Sequence, residues 1–222
     1  MTTVVVTNEI EIYKESSKED LYKIRFINYD NSLINSITKT NILYFPTKIK
    51  DYLLLKAYNI QTFAEFMNNK KNITVASCLN ILYFLSKQIE YLIYSESKCF
   101  YKIDTRNVIN IDNNIFIYLS SNHLSEIENN EIQIYSPINK RTGLFSPELM
   151  RINEIPTKIN CKTIFFSLGL LLISFLYEID DPNKYNSKEL LNMCHTIKET
   201  KLYYFLERCL CDDINDRYLL YL

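Results

Sequence analysis

From Ile164 to Tyr177 the chain is apolar at nearly every position, interrupted only by two serines and Gly169. A helix that is apolar all round has no face to give to water and belongs inside a core. The run falls short of the roughly 17 to 25 residues that span a bilayer, so a buried core helix is predicted rather than a membrane anchor. Just upstream, Phe145-Ser-Pro-Glu148 sets a proline where a helix can begin and a carboxylate in its first turn. Towards the N-terminus the pattern changes. Val4 to Tyr13 and Leu21 to Asn28 carry β-branched residues in partial alternation and predict strands, with the polar break from Lys14 to Asp20 joining them as a hairpin. Asn41 to Pro46 predicts another short strand, ended by its proline, and Asp51 to Lys56 follows it. From Thr62 onward helices are expected. Thr62-Phe-Ala-Glu65 has the form of a capping box, and Thr74 precedes a longer helix in which Cys78, Leu79, Leu82, Leu85 and Ile89 fall at helical spacing. Val108 to Leu119 predicts a β-hairpin, and Glu126 to Glu131 a polar hairpin.

Length allows one large domain or two small lobes, and 222 residues at 47% hydrophobic and 23% charged are enough for a sizeable core. A formal net charge of −1 supplies no basic field, so neither nucleic acid nor a membrane surface is an expected partner. The six cysteines form no Cys-x-x-Cys pair, and Cys209-x-Cys211 has the wrong spacing for a zinc knuckle. Reduced thiols are expected. The first residues have neither a basic start nor a long apolar segment, so no signal peptide is read and an intracellular, cytoplasmic location is expected. His123 and His195 are far apart in sequence and in no metal-ligand spacing, so exposed or capping roles are expected for both. With Gly143 and Gly169 the only glycines, the nucleophile elbow of an α/β-hydrolase is excluded.

Phe145-Ser-Pro-Glu148, followed downstream by Phe165-Phe-Ser-Leu-Gly-Leu-Leu-Leu172, resembles the Ala-Pro-Glu motif and central Ser-x-Gly helix of the protein-kinase C-lobe. The tail from Phe205 to Arg217 is similar to the kinase ending, in which a cysteine-leucine helix precedes an acidic turn and an arginine. In kinases that glutamate and arginine form a buried ion pair, so the resemblance implies one between Glu148 and Arg217. The composition, with its many isoleucines and asparagines, also resembles kinase-like proteins of large DNA viruses.

Where the resemblance would place chemistry, the residues differ. In Phe100-Tyr-Lys-Ile-Asp-Thr-Arg-Asn-Val108, aligning Asn107 with the metal-binding asparagine of the catalytic loop puts Lys102 where the general-base aspartate belongs. A charged lysine accepts no proton. Asp104 is near but has Ile109 at the required spacing, and reads as a solvated loop residue. Leu119-Ser120-Ser121 stands where Asp-Phe-Gly is expected, and no glycine-rich loop is possible in the N-terminal third. Lys23 occupies a strand position that would suit the phosphate-pairing lysine but reads as a water-facing strand residue. Ile164 replaces the aspartate that braces the catalytic loop from the central helix.

The expected fold is therefore α+β and mainly α, a kinase-like C-lobe over residues 47–222 preceded by a rudimentary β-rich N-lobe over residues 1–46. The expected function is a pseudokinase-like regulatory or binding module with a protein partner, no metal site and no cofactor beyond weak ATP binding that needs no Mg²⁺. One alternative is a divergent active Ser/Thr kinase in which Asp104 or Asp112 takes over base or metal roles. Another is a non-catalytic adaptor that grips a peptide.

Overall fold

The computed structural model describes residues 1–16, 20–44 and 46–219. Strands β1 (Thr2–Val6), β2 (Ile10–Lys14) and β3 (Leu21–Phe26) run antiparallel in succession. The single strand expected from Val4 to Tyr13 is thus a hairpin. Its turn needs no glycine, because the Thr7 hydroxyl accepts from the N–H groups of Glu9 and Ile10 at 3.1 and 3.2 Å and substitutes for ladder partners.

Helix α1 (Asn31–Thr38) follows, an element absent from the sequence-based expectation. Asn-Ser-Leu-Ile-Asn-Ser-Ile-Thr has little intrinsic helix propensity. It is held instead by the Asp30 side chain, which accepts from the Leu33 N–H at 2.9 Å, and by burial of Leu33, Ile34 and Ile37. The strand expected from Asn41 to Pro46 is irregular where described, with Ile42 and Leu43 turned into the core; Phe45 lies outside the described residues. Strands β4 (Thr47–Ile49) and β5 (Tyr52–Lys56) complete a five-stranded sheet of order β1-β2-β3-β5-β4. The sheet therefore continues to Lys56, past the boundary expected at residue 46, and is fuller than a rudiment.

Strand β6 (Ile60–Thr62) leads into helix α2 (Phe63–Asn68) through the expected capping box, in which Thr62 and Glu65 bond each other's backbone N–H groups. Helix α3 (Val75–Ser95) begins at its Thr74 cap and buries Cys78, Ile81, Leu82, Leu85, Gln88, Ile89 and Leu92 along one face. Leu79, counted in the apolar stripe, is instead among the exposed apolar side chains. Strand β7 (Lys98–Phe100) enters a loop that ends in the hairpin β8 (Val108–Ile111) and β9 (Ile115–Tyr118), which pairs with β6. Strands β10 (Leu124–Glu128) and β11 (Glu131–Ile134) are joined by Asn129 and Asn130, both at positive φ, the geometry asparagine favours in a two-residue hairpin.

After the one-turn helix α4 (Pro147–Met150) and strand β12 (Thr157–Asn160) comes the central helix α5 (Thr163–Tyr177), followed by α6 (Ser187–Met193) and α7 (Lys201–Cys209). Twelve of the fifteen residues of α5 are buried. Each fully buried Leu, Ile or Phe there contributes roughly 1.5 to 3 kcal/mol of transfer free energy, so this helix is the centre of the molecule's hydrophobic stabilisation. Gly169 allows the end of α7 to approach, since a Cβ there would lie only 3.0 Å from Leu210 Cδ2. Among the described residues no helix is long and apolar enough to cross a membrane.

Candidate functional site

The loop between β7 and β8 carries Lys102, Asp104 and Asn107, and the structure buries all three. Lys102 Nζ reaches the Thr142 carbonyl at 3.3 Å and lies 5.3 Å from the centre of the Phe145 ring. Burial pulls its pKa below the ordinary lysine value, with Asp104 opposing the shift. Asp104 is not the solvated residue expected. Its carboxylate accepts from Arg106 Nε at 2.9 Å, from Arg106 Nη2 at 2.5 Å and from the Arg106 backbone N–H at 3.1 Å, capping the 3-10 turn Thr105–Asn107. Burial would raise its pKa, but the Arg106 hydrogen bonds and charge outweigh burial and hold it below the usual aspartate value. An aspartate locked to an arginine in this way is a weak proton acceptor.

Asn107 is fully buried, and neither its side-chain oxygen nor its nitrogen has a hydrogen-bond partner. Its backbone carbonyl accepts from the Leu119 N–H at 2.9 Å, which fixes the segment Leu119 to Asn122 beside the loop. Tyr118 links the two. Its hydroxyl accepts from the Asp104 N–H at 3.0 Å and shares a 2.5 Å hydrogen bond with His123 Nδ1. The expectation of an exposed His123 is therefore corrected: burial first, then the Lys102 charge, push its pKa down to about 3, and the ring is neutral. His195 is exposed, as expected.

Opposite this segment stands a residue that the sequence did not single out. Glu9, in the turn between β1 and β2, is only 2% exposed, and its carboxylate accepts from Ser120 Oγ at 2.8 Å, Ser121 Oγ at 3.2 Å and the Asn122 N–H at 3.4 Å. The turn is thereby closed down onto the position where the kinase resemblance expects Asp-Phe-Gly. No local pattern marks a buried turn glutamate; only the unusual want of glycine at that turn could have drawn attention to it.

Other candidates lie elsewhere. Lys23 stands 3.8 Å from the centre of the Tyr52 ring, on the face of β3 opposite buried Tyr22 and Ile24. Helix α1 contains no glutamate or aspartate to pair with it, whereas kinases join their strand lysine to a helix glutamate. Asp112 is spent on structure, its Oδ1 accepting from the N–H groups of Tyr58 and Asn59 at 2.7 and 2.8 Å. Among the described residues no group of three or more His, Cys, Asp or Glu is disposed to hold a metal ion.

Glu148 and Arg217 meet in a two-pronged ion pair, with Nη2 to Oε1 at 2.6 Å and Nη1 to Oε2 at 3.0 Å. The Arg217 side chain is fully buried, lies 4.9 Å from the centre of the Phe166 ring, and donates further to the carbonyls of Cys211 and Asp212. Ile164 is buried in α5, and nearby Ser167 donates to the Leu144 carbonyl at 2.9 Å. Gly143, at φ of 112°, lets the segment before α4 pass 3.2 Å from the Ile103 carbonyl, measured from where a Cβ would sit. Beside the loop opens a cleft of about 1450 Å³ between the β1–β2 turn, α2, Arg106, the Lys140 to Leu144 segment and the end of α5.

No protein-family model and no curated protein matches the chain. Among solved structures it is similar to a rhoptry kinase from Toxoplasma gondii, with a TM-score of 0.59 and 13% identity, over 98% of this chain and 73% of that one. The chain thus has a protein-kinase-like fold.

Proposed function

We propose that this chain is a pseudokinase-type binding module, built from an N-terminal sheet lobe and a helical lobe, that transfers no phosphate. The reading rests above all on the loop between β7 and β8. Lys102 stands where a kinase needs a carboxylate base, and the neighbouring carboxylate, Asp104, is bound on both oxygens by Arg106. Phosphoryl transfer depends on positioned charge and metal, so a loop without base or carboxylate ligand lacks the main terms of the mechanism. Glu148 and Arg217, which serve the scaffold, remain paired. The partner we infer is a protein. The cleft of about 1450 Å³ beside Arg106, with Arg141, Asp180 and Asp181 on its walls, favours an extended polypeptide carrying both signs of charge.

A radiolabelled-phosphate transfer assay on the wild type, alongside Asp104→Ala and Asn107→Ala, tests the reading. Transfer at background in all three is expected. Robust wild-type transfer abolished by either substitution would overturn it. Thermal melting with ATP is expected to show a small shift at most, the same with and without Mg²⁺.

A further inference from the structure

The Glu9 carboxylate is buried at a cost. Removing a carboxylate from water costs several kcal/mol unless donors replace the lost hydration. A glutamate in a short turn next to exposed Asn8 could face solvent freely, yet this one points inward. What it meets is a set of donors. Ser120 Oγ, Ser121 Oγ and the Asn122 N–H converge on the two carboxylate oxygens, from residues 111 to 113 positions away. Two hydroxyls and a backbone N–H from consecutive residues make a small concave donor group, the kind of arrangement that holds oxyanions. The group is braced from outside. Asn28 Nδ2 donates to Asn122 Oδ1 at 3.0 Å, and Tyr101 donates to the Asn122 carbonyl at 3.2 Å.

We propose that Ser120, Ser121 and the Asn122 amide form an oxyanion-binding nest that the chain fills with its own Glu9 carboxylate, so that an external phosphate group enters only when the β1–β2 turn lifts. The turn is therefore an intramolecular stopper. An anion that displaced it would free the first hairpin of the five-stranded sheet from the Leu119 to Asn122 segment. This inference stands on the donor geometry alone and is independent of whether the protein transfers phosphate.

The test is thermal melting and calorimetric titration of wild type, Glu9→Ala and Glu9→Gln with inorganic phosphate, at constant ionic strength against chloride. Wild type is expected to show no specific response. Glu9→Ala is expected to melt lower in chloride, to recover in phosphate, and to bind phosphate roughly tenfold or more tightly than wild type, because charge-assisted donors are then free. If Glu9→Ala does not fold, Glu9→Gln carries the test: it keeps the side-chain size, loses the charge, and is expected to gain a weaker phosphate response. Adding Ser120→Ala and Ser121→Ala to the responsive variant should abolish the gain. The proposal is overturned if the folded variants respond to phosphate no more than wild type does, if chloride acts equally, or if the gain survives loss of both serines. A purely structural clamp would give the first of these, a loss of stability with no new binding.

Discussion

Removing the Glu148 carboxylate should be among the most damaging single changes on the surface side of this fold. Glu148→Ala leaves the Arg217 guanidinium, whose side chain is fully buried, with the Cys211 and Asp212 carbonyls and the Phe166 ring but no opposite charge. Breaking a buried pair from one side costs about 3 to 5 kcal/mol. The Glu148 side chain is 23% exposed, so water can reach the vacated position, and the low end of that range, about 3 kcal/mol, is the figure to expect. Urea unfolding followed by circular dichroism reads it directly as a lower midpoint at unchanged slope. The pH dependence supplies a second reading. Burial would raise the Glu148 pKa, but the Arg217 hydrogen bonds and charge hold it below its ordinary value of 4.5. A carboxylate depressed in the folded state contributes stability that is complete above 4.5 and is lost as pH falls through the lowered value. Wild type should therefore lose stability more steeply than Glu148→Ala over that acid range. Replacing both partners with methionine should recover part of the loss, since the stranded charge is gone while two carbonyls lose their donor. A cost for Glu148→Ala below about 1 kcal/mol, with parallel pH curves, would refute the reasoning and reduce the pair to an exposed one.

Gly169→Leu should destabilise by roughly 1 to 3 kcal/mol in the same assay, because the added side chain meets Leu210 and Cys209 at the end of α7. His123 should remain neutral in imidazole NMR at pH 5. Its folded pKa of about 3 lies below the unfolded value near 6.5, so the unfolded state binds the extra proton and stability should decline as pH falls between the two. Native protein treated with a thiol reagent should react quickly only at half-buried Cys211, with Cys78, Cys99, Cys161, Cys194 and Cys209 silent until denaturant is added; rapid modification of more than one thiol would contradict the packing.

Some features of this protein are properties of short stretches of chain and could be read there. The run from Ile164 to Tyr177 has no polar face, so any folded arrangement must enclose it. The Thr62–Glu65 capping box closes within four residues and needs no help from elsewhere. The kinase-like fold was legible because helix and motif spacing survive where individual side chains have changed. Other features depended on contacts that no local pattern carries. Helix α1 forms from poor helix formers because the core receives Leu33, Ile34 and Ile37, and Lys98 pairs with its Asp30 cap. The sheet passes residue 46 because β5 finds β3 across α1. Asp104 reads as a solvated loop residue, His123 as an exposed or capping one and Glu9 as one position in an expected strand, and each is buried by partners set in place only on folding. For Glu9 those partners stand 111 to 113 residues away. Hydrophobic periodicity records how much apolar surface must leave water. Whether a charge may follow it inside depends on distant donors converging at hydrogen-bond distance, and that is decided by the tertiary structure.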